Sequence, residues 1–117
     1  MEAPILEYLN LFENNFSQFE ILESLKHFQN LKILYIGGNK FNNDIKKEYE
    51  LKPLERIGLS FGVFSDYSIN YISKFKFENL KTLFLNANNL HSLSFLQNIN
   101  YPKLEELFLM LNYIEKF

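Results

Sequence analysis

The stretch Leu80-Lys81-Thr82-Leu83-Phe84-Leu85-Asn86-Ala87-Asn88-Asn89-Leu90 decides how the whole chain is read. Within it, Leu83-Phe84-Leu85 alternates. The two leucines therefore turn to one side of a short strand and Phe84 to the other. Asn88 follows at the point where the chain must leave the strand. The same spacing returns four more times: as Leu6, Leu9, Leu11, Asn14 and Phe16; as Leu31, Leu34, Ile36, Asn39 and Phe41; as Leu54, Ile57, Leu59, Gly62 and Phe64; and as Leu104, Leu107, Leu109, Asn112 and Ile114. The copies start at 6, 31, 54, 80 and 104, so they are 25, 23, 26 and 24 residues apart. Five copies in phase make a repeat array. Residues 1–117 read as a single domain, with coils starting near those five positions.

This spacing resembles the leucine-rich-repeat superfamily from Leu6 to the C-terminus, and the separations fall inside that family's range of roughly 20–29 residues. The first and fourth copies run on at three-residue steps, through Phe16, Phe19, Leu22, Leu25 and Phe28 and through Leu90, Leu93, Leu96 and Ile99. In this they look like the intracellular phosphatase-regulatory and dynein light-chain type of leucine-rich protein. The second and third copies depart from that type, being polar at Asn42-Asn43-Asp44-Ile45-Lys46-Lys47 and Ser65-Asp66-Tyr67-Ser68. The resemblance implies an α/β solenoid of about five coils. A curved parallel β-sheet would lie on the concave side, with short or single-turn helices on the convex side.

The physics of stacking agrees. One coil cannot bury its own leucines, but stacked coils join them into a continuous core. The sharp turn after each strand leaves buried backbone polar groups, and an amide side chain can answer both donors and acceptors. Asn14, Asn39, Asn88 and Asn112 are therefore expected to form a ladder. Gly62 breaks it, so the third coil is expected to be the loosest. Two return arms read as helical. Ser17 to Gln29 is apolar at helical spacing, with Ser17 and Glu20 suited to a capping box. Asp44 to Leu51 reads as a short helix ending before Pro53.

Between the core leucines lie the outward strand positions. One column runs Tyr8, Ile33, Arg56, Thr82, Glu106, and the next runs Asn10, Tyr35, Gly58, Phe84, Phe108. Phe12, Phe61, Met110 and Leu111 follow the strands. A contiguous apolar surface of this kind marks an interaction site, and aromatics and Met are enriched at interface centres. The expected partner-binding set is Tyr8, Phe12, Ile33, Tyr35, Phe61, Phe84, Phe108, Met110 and Leu111. A further column, Glu7, Lys32, Glu55, Lys81 and Glu105, alternates in sign. It is expected to help hold the register through cross-strand pairs.

Composition narrows the partner. The chain is 47% hydrophobic and 22% charged, with net charge −2, thirteen Phe, seven Tyr and no Cys. A globular fold follows, with no basic face for a nucleic acid. No apolar run reaches the ~20 residues that span a bilayer, so membrane insertion is not expected. The lack of Cys and of a signal peptide points to an intracellular, cytoplasmic setting. His27 and His91 stand without Cys or clustered ligands, and Gly37-Gly38 lacks a phosphate-loop pattern and reads as a tight turn. No enzyme, cofactor or metal is expected. The expected function is a protein-binding module working through its concave face. The alternative is an assembly unit that stacks or oligomerises through uncapped ends, the C-terminal edge with Phe108, Met110, Leu111 and Phe117 above all. With neither end showing a polar cap, the chain reads as a piece of a longer array.

Overall fold

A computed structural model describes residues 5–41, 45 and 47–115. Each repeat contributes one three-residue strand: β1 Tyr8–Asn10, β2 Ile33–Tyr35, β3 Arg56–Gly58, β4 Thr82–Phe84 and β5 Glu106–Phe108. They form one parallel sheet in the order β1-β2-β3-β4-β5. The register is the one the repeat spacing dictates: Leu9, Leu34, Ile57, Leu83 and Leu107 are cross-strand partners in turn. Backbone bonds carry the ladder beyond the strands, as from Leu59 N–H to the Phe84 carbonyl at 2.8 Å and from Leu85 N–H to the Phe108 carbonyl at 2.8 Å. The body is elongated, 44 × 30 × 24 Å.

The inward leucine and isoleucine columns are closed to solvent in the middle repeats. Leu34, Leu54, Leu80 and Leu85 are among the fully buried residues. Each such side chain stabilises the fold by about 1.5–3 kcal/mol relative to exposure. Much of the aromatic content is spent on the same core. Phe19 stacks on Phe41 at 4.5 Å and Phe41 on Phe64 at 6.1 Å, while Phe75 meets Phe19, Tyr49 and Phe77 edge-on. Tyr101 stacks on Phe77 at 5.2 Å and donates its hydroxyl to the Ile72 carbonyl. Burial pushes the ionisation of that hydroxyl up, so it stays a donor.

The amide ladder is present. Asn39 Nδ2 donates to the carbonyls of Ile36 and Gly37 in its own repeat and of Leu11 in the one before, and its Oδ1 accepts from Phe16 N–H. Asn88 repeats the pattern with Leu85, Asn86 and Leu59, accepting from Gly62 and Phe64. Asn112 does the same with Leu85, Leu109 and Met110, accepting from Asn88 and Leu90. Asn14 is exposed and, among the described residues, reaches Leu11 and Phe12 alone. Gly62 interrupts this ladder: it has no side chain to donate to the neighbouring carbonyls or to accept from the preceding repeat as Asn39, Asn88 and Asn112 do. A Cβ there would lie 2.4 Å from the Phe64 ring, which occupies the space an asparagine side chain would take. The residue before each ladder position has a left-handed backbone: Glu13, Gly38, Phe61, Ala87 and Leu111, with φ from 57° to 68°. Glycine serves this turn once. At Gly37 a Cβ would come within 2.2 Å of the Ser60 carbonyl oxygen, so the pair Gly37-Gly38 is the tight turn its sequence suggests.

The return arms differ from expectation in three places. Helix α1 spans Ile21–Leu25 with Glu20 at its N-cap and no side-chain cap bond, so Ser17 caps nothing. The segment before it is held by Phe16 N–H on Asn39 and by Phe19 wedged among Phe41 and Phe64, which delays the first helical turn. The helix expected over 44–51 is absent among the described residues, Asp44 and Lys46 lying outside them. Tyr49 and Leu51 are buried while Glu48 and Glu50 are exposed. This is a strand-like alternation, and Glu50 bridges to Lys76 in parallel. Helix α2, Asp66–Ile72, was not expected. Ser65 and Ser68 form its capping box, and Ile69 and Ile72 bury its inner face. A 3₁₀ helix at Ser94–Gln97 completes the fourth arm.

Candidate functional site

The outward faces of the five strands build one surface. Strand alternation sends Tyr8, Asn10, Tyr35, Phe84 and Phe108 away from the core. The parallel register lines up Asn10, Tyr35, Phe84 and Phe108 across the sheet, with Tyr8 diagonal to Tyr35 in the adjoining column. Tyr8 meets Tyr35 edge-on at 5.7 Å, Tyr35 meets Phe84 at 6.0 Å, and Phe84 stacks on Phe108 at 4.9 Å with planes 9° apart. β3 adds no ring to this line, and that is what keeps it continuous. The Tyr35 ring lies over Gly58, where a Cβ would come within 2.4 Å of Tyr35 Cδ1. Tyr35 thereby reaches across β3 to Phe84. Phe12 and Phe61 form a separate edge-on pair at 6.2 Å.

The two groups meet at a cup of about 290 Å³ lined by Asn10, Phe12, Tyr35, Gly58, Ser60 and Phe84. Of the expected residues, Tyr8, Phe12, Phe61, Met110 and Leu111 are exposed, whereas Ile33, Tyr35, Phe84 and Phe108 are half-buried by their own neighbours. Met110 and Leu111 stand at the β5 end, 68% and 71% exposed, outside the ring contacts. Phe117 lies outside the described residues.

Arg56 belongs to this surface, although its sequence position stood out only as one place in a column. Its guanidinium lies over the Phe84 ring, 5.5 Å from the centroid. Its Nε is buried without a hydrogen-bond partner. Thr82 is buried and donates to Glu106 Oε1 at 3.0 Å, which fixes the acid at the far end of the same column. The alternating charges sit beside the strands and pair two by two, Lys32 with Glu7 at 3.9 Å and Lys81 with Glu55 at 4.0 Å. Such exposed pairs are worth no more than about 1 kcal/mol.

Elsewhere the ionisable groups serve the fold. Asp66 accepts from the backbone N–H of His91 and Ser92, and the His91 ring stacks on Tyr113. Ser92 Oγ accepts from Ser94 N–H and so starts the 3₁₀ turn. His27 lies on the wall of a larger recess of about 870 Å³ between the first three arms, with Lys26, Glu48 and Lys52 among its neighbours. Nearby Glu23 is held down to about 2 by hydrogen bonds from Lys26 and Lys47. No cluster of three or more His, Cys, Asp or Glu side chains suited to a metal ion occurs among the described residues. No helix among them is long and apolar enough to cross a membrane.

Over 64 residues the chain is 42% identical to an acidic leucine-rich nuclear phosphoprotein 32-related protein of Plasmodium falciparum (isolate 3D7). The match takes in 52% of this chain and 23% of that protein, so the chain corresponds to well under half of the length of the curated relative. No family model matches the chain. No solved structure matches it. The repeat spacing, the parallel sheet and this partial likeness together support a leucine-rich-repeat class of protein.

Proposed function

We propose that the chain is a leucine-rich-repeat solenoid that binds a partner protein on the concave, outward face of its sheet and carries out no chemistry of its own. The observation that carries this reading is the continuous aromatic line Tyr8-Tyr35-Phe84-Phe108 with its adjoining cup. Large rings left in contact with solvent are unfavourable for an isolated chain and suit the centre of an interface. The apolar arm Phe16 to Phe28, with Phe19, Leu22 and Leu25 buried, supports the intracellular subtype. An intracellular location fits the absence of Cys, and the matched Plasmodium protein is named nuclear.

Changing Tyr35, Phe84 and Phe108 together to Ala should abolish capture of protein partners by the tagged chain and leave its thermal unfolding cooperative. Tyr67→Ala, an exposed ring on α2, serves as control and should leave capture intact. Capture that survives the triple change would sink the reading. Loss of cooperative unfolding would place the three rings in the core instead.

A second reading has its own support. The columns that are closed in the middle repeats remain half-buried at β5, in Leu104, Leu107 and Leu109. An assembly unit that stacks through this edge would cover them.

A further inference from the structure

Resting on that reading of the sheet face, we propose that its partner is an acidic–apolar protein segment, one that seats an apolar side chain in the Gly58 cup and a carboxylate on Arg56. Arg56 is the only cation in the two outward strand columns. Its side chain makes no ion pair or hydrogen bond with any described residue, and its Nε is buried with no acceptor. Glu106 shares its column but lies two strands away and is engaged by Thr82. A guanidinium presents a planar fork of donors that matches a carboxylate; with Nε closed off, its Nη donors are the ones a partner's carboxylate would meet.

Phe84 joins the two halves of the site. One side of its environment is the platform under Arg56, and the other is a wall of the cup. The carboxylate and the apolar side chain must therefore lie close together on the same segment. The cup is too small for a folded element and has the scale of one or two side chains. Gly58 shapes it by letting the Tyr35 ring lie across β3 and form a wall, since any Cβ would strike that ring. A phosphate backbone is the poorer fit to this charge, because nucleic-acid binding draws on several cations and this face offers one. A basic segment would set a like charge against Arg56.

The test uses random short peptides displayed on phage and selected on the full chain, with synthetic copies of the enriched peptides measured by fluorescence anisotropy. Enriched peptides should carry Asp or Glu within a residue or two of Leu, Phe or Met. Replacing that acid by its amide should weaken binding to the unaltered chain by about tenfold. On the Arg56→Met chain the acid and amide peptides should bind alike. Arg56→Met removes a donor that has no partner, so it should fold; the acid-to-amide comparison on the unaltered chain decides the matter even if it does not. Peptides that need Tyr35 but are indifferent to both the acid and Arg56 would overturn this inference and leave protein binding on the face standing. Selection that yields no peptide sensitive to Tyr35→Ala or Phe84→Ala would overturn both.

Discussion

Asn88 makes contacts that no apolar residue could replace. Its amide nitrogen satisfies carbonyls in two repeats, and its oxygen takes the N–H groups of Gly62 and Phe64. All of this is buried. Asn88→Ala would strand the N–H groups of Gly62 and Phe64 and the Leu59 carbonyl at once, while the Leu85 carbonyl keeps its bond from Asn112. At about 1–3 kcal/mol for a buried group left without a partner, and with partial relaxation, the loss should be about 3 kcal/mol. Asn14→Ala removes only exposed bonds to Leu11 and Phe12 and should cost less than about 1 kcal/mol. Urea unfolding of both variants checks the contrast, and equal losses would show that the ladder is not what holds the repeats together. The ladder was legible because asparagine recurs in phase with the leucines. Two neighbouring facts were not. Gly58 looks like a break in the aromatic column, and nothing in the sequence says that the Tyr35 ring lies over it. The orphaned Nε of Arg56 is likewise a matter of which atoms close around it, which a column of residue names does not encode.

At the level of elements, strands and arms were legible to different degrees for a physical reason. A strand here is fixed by its neighbours in the sheet, so repeat spacing alone sets its position, and every cross-strand pair falls where the alignment of copies places it. The arms are set by local capping and by how each bulky ring fits under the next, and those vary from copy to copy. Ser17-Phe19-Glu20 has the pattern of a capping box, yet Phe19 is drawn into the aromatic core and the helix starts later, at Ile21. Ser65-Asp66-Tyr67-Ser68 looks like a polar departure from the repeat, yet Ser65 and Ser68 form the capping box of α2, and Ile69 and Ile72 bury its inner face. Glu48-Tyr49-Glu50-Leu51 alternates, and alternation favoured the extended arm over a helix. The caps give a direct check. Ser65→Ala should destabilise the chain by about 1 kcal/mol, because its hydroxyl accepts the Ser68 N–H, whereas Ser17→Ala should be neutral. Thermal unfolding that ranks the two variants the other way would show that Ser17 caps the first arm in solution.

At the scale of the whole molecule, the two ends of the sheet are nearly complementary. In the middle of the stack, Asn112 takes the N–H groups of Asn88 and Leu90. The same groups of the fifth repeat, on Asn112 and Ile114, would find the amide of Asn14 if the first repeat of a second copy followed. Leu104, Leu107 and Leu109 would then face Leu6, Leu9 and Leu11. The charge column opposes this arrangement. Glu105 would meet Glu7 of the next copy, and like charges directly opposite are unfavourable by a few tenths of a kcal/mol. Glu105 makes no ion pair with a described residue that would offset the repulsion, since Lys81 pairs with Glu55. Head-to-tail association is therefore expected to be weak, to strengthen as salt screens the two acids, and to strengthen about twofold in Glu105→Gln. Light scattering after size exclusion, over a wide range of concentration, measures this directly. A mass that rises with concentration and rises further in Glu105→Gln would move the stacking reading ahead. A monomer unaffected by concentration, salt or the substitution would mean that the half-buried leucines at β5 are tolerated in water, which leaves the aromatic face and Arg56 as the surface on which a partner has to be sought.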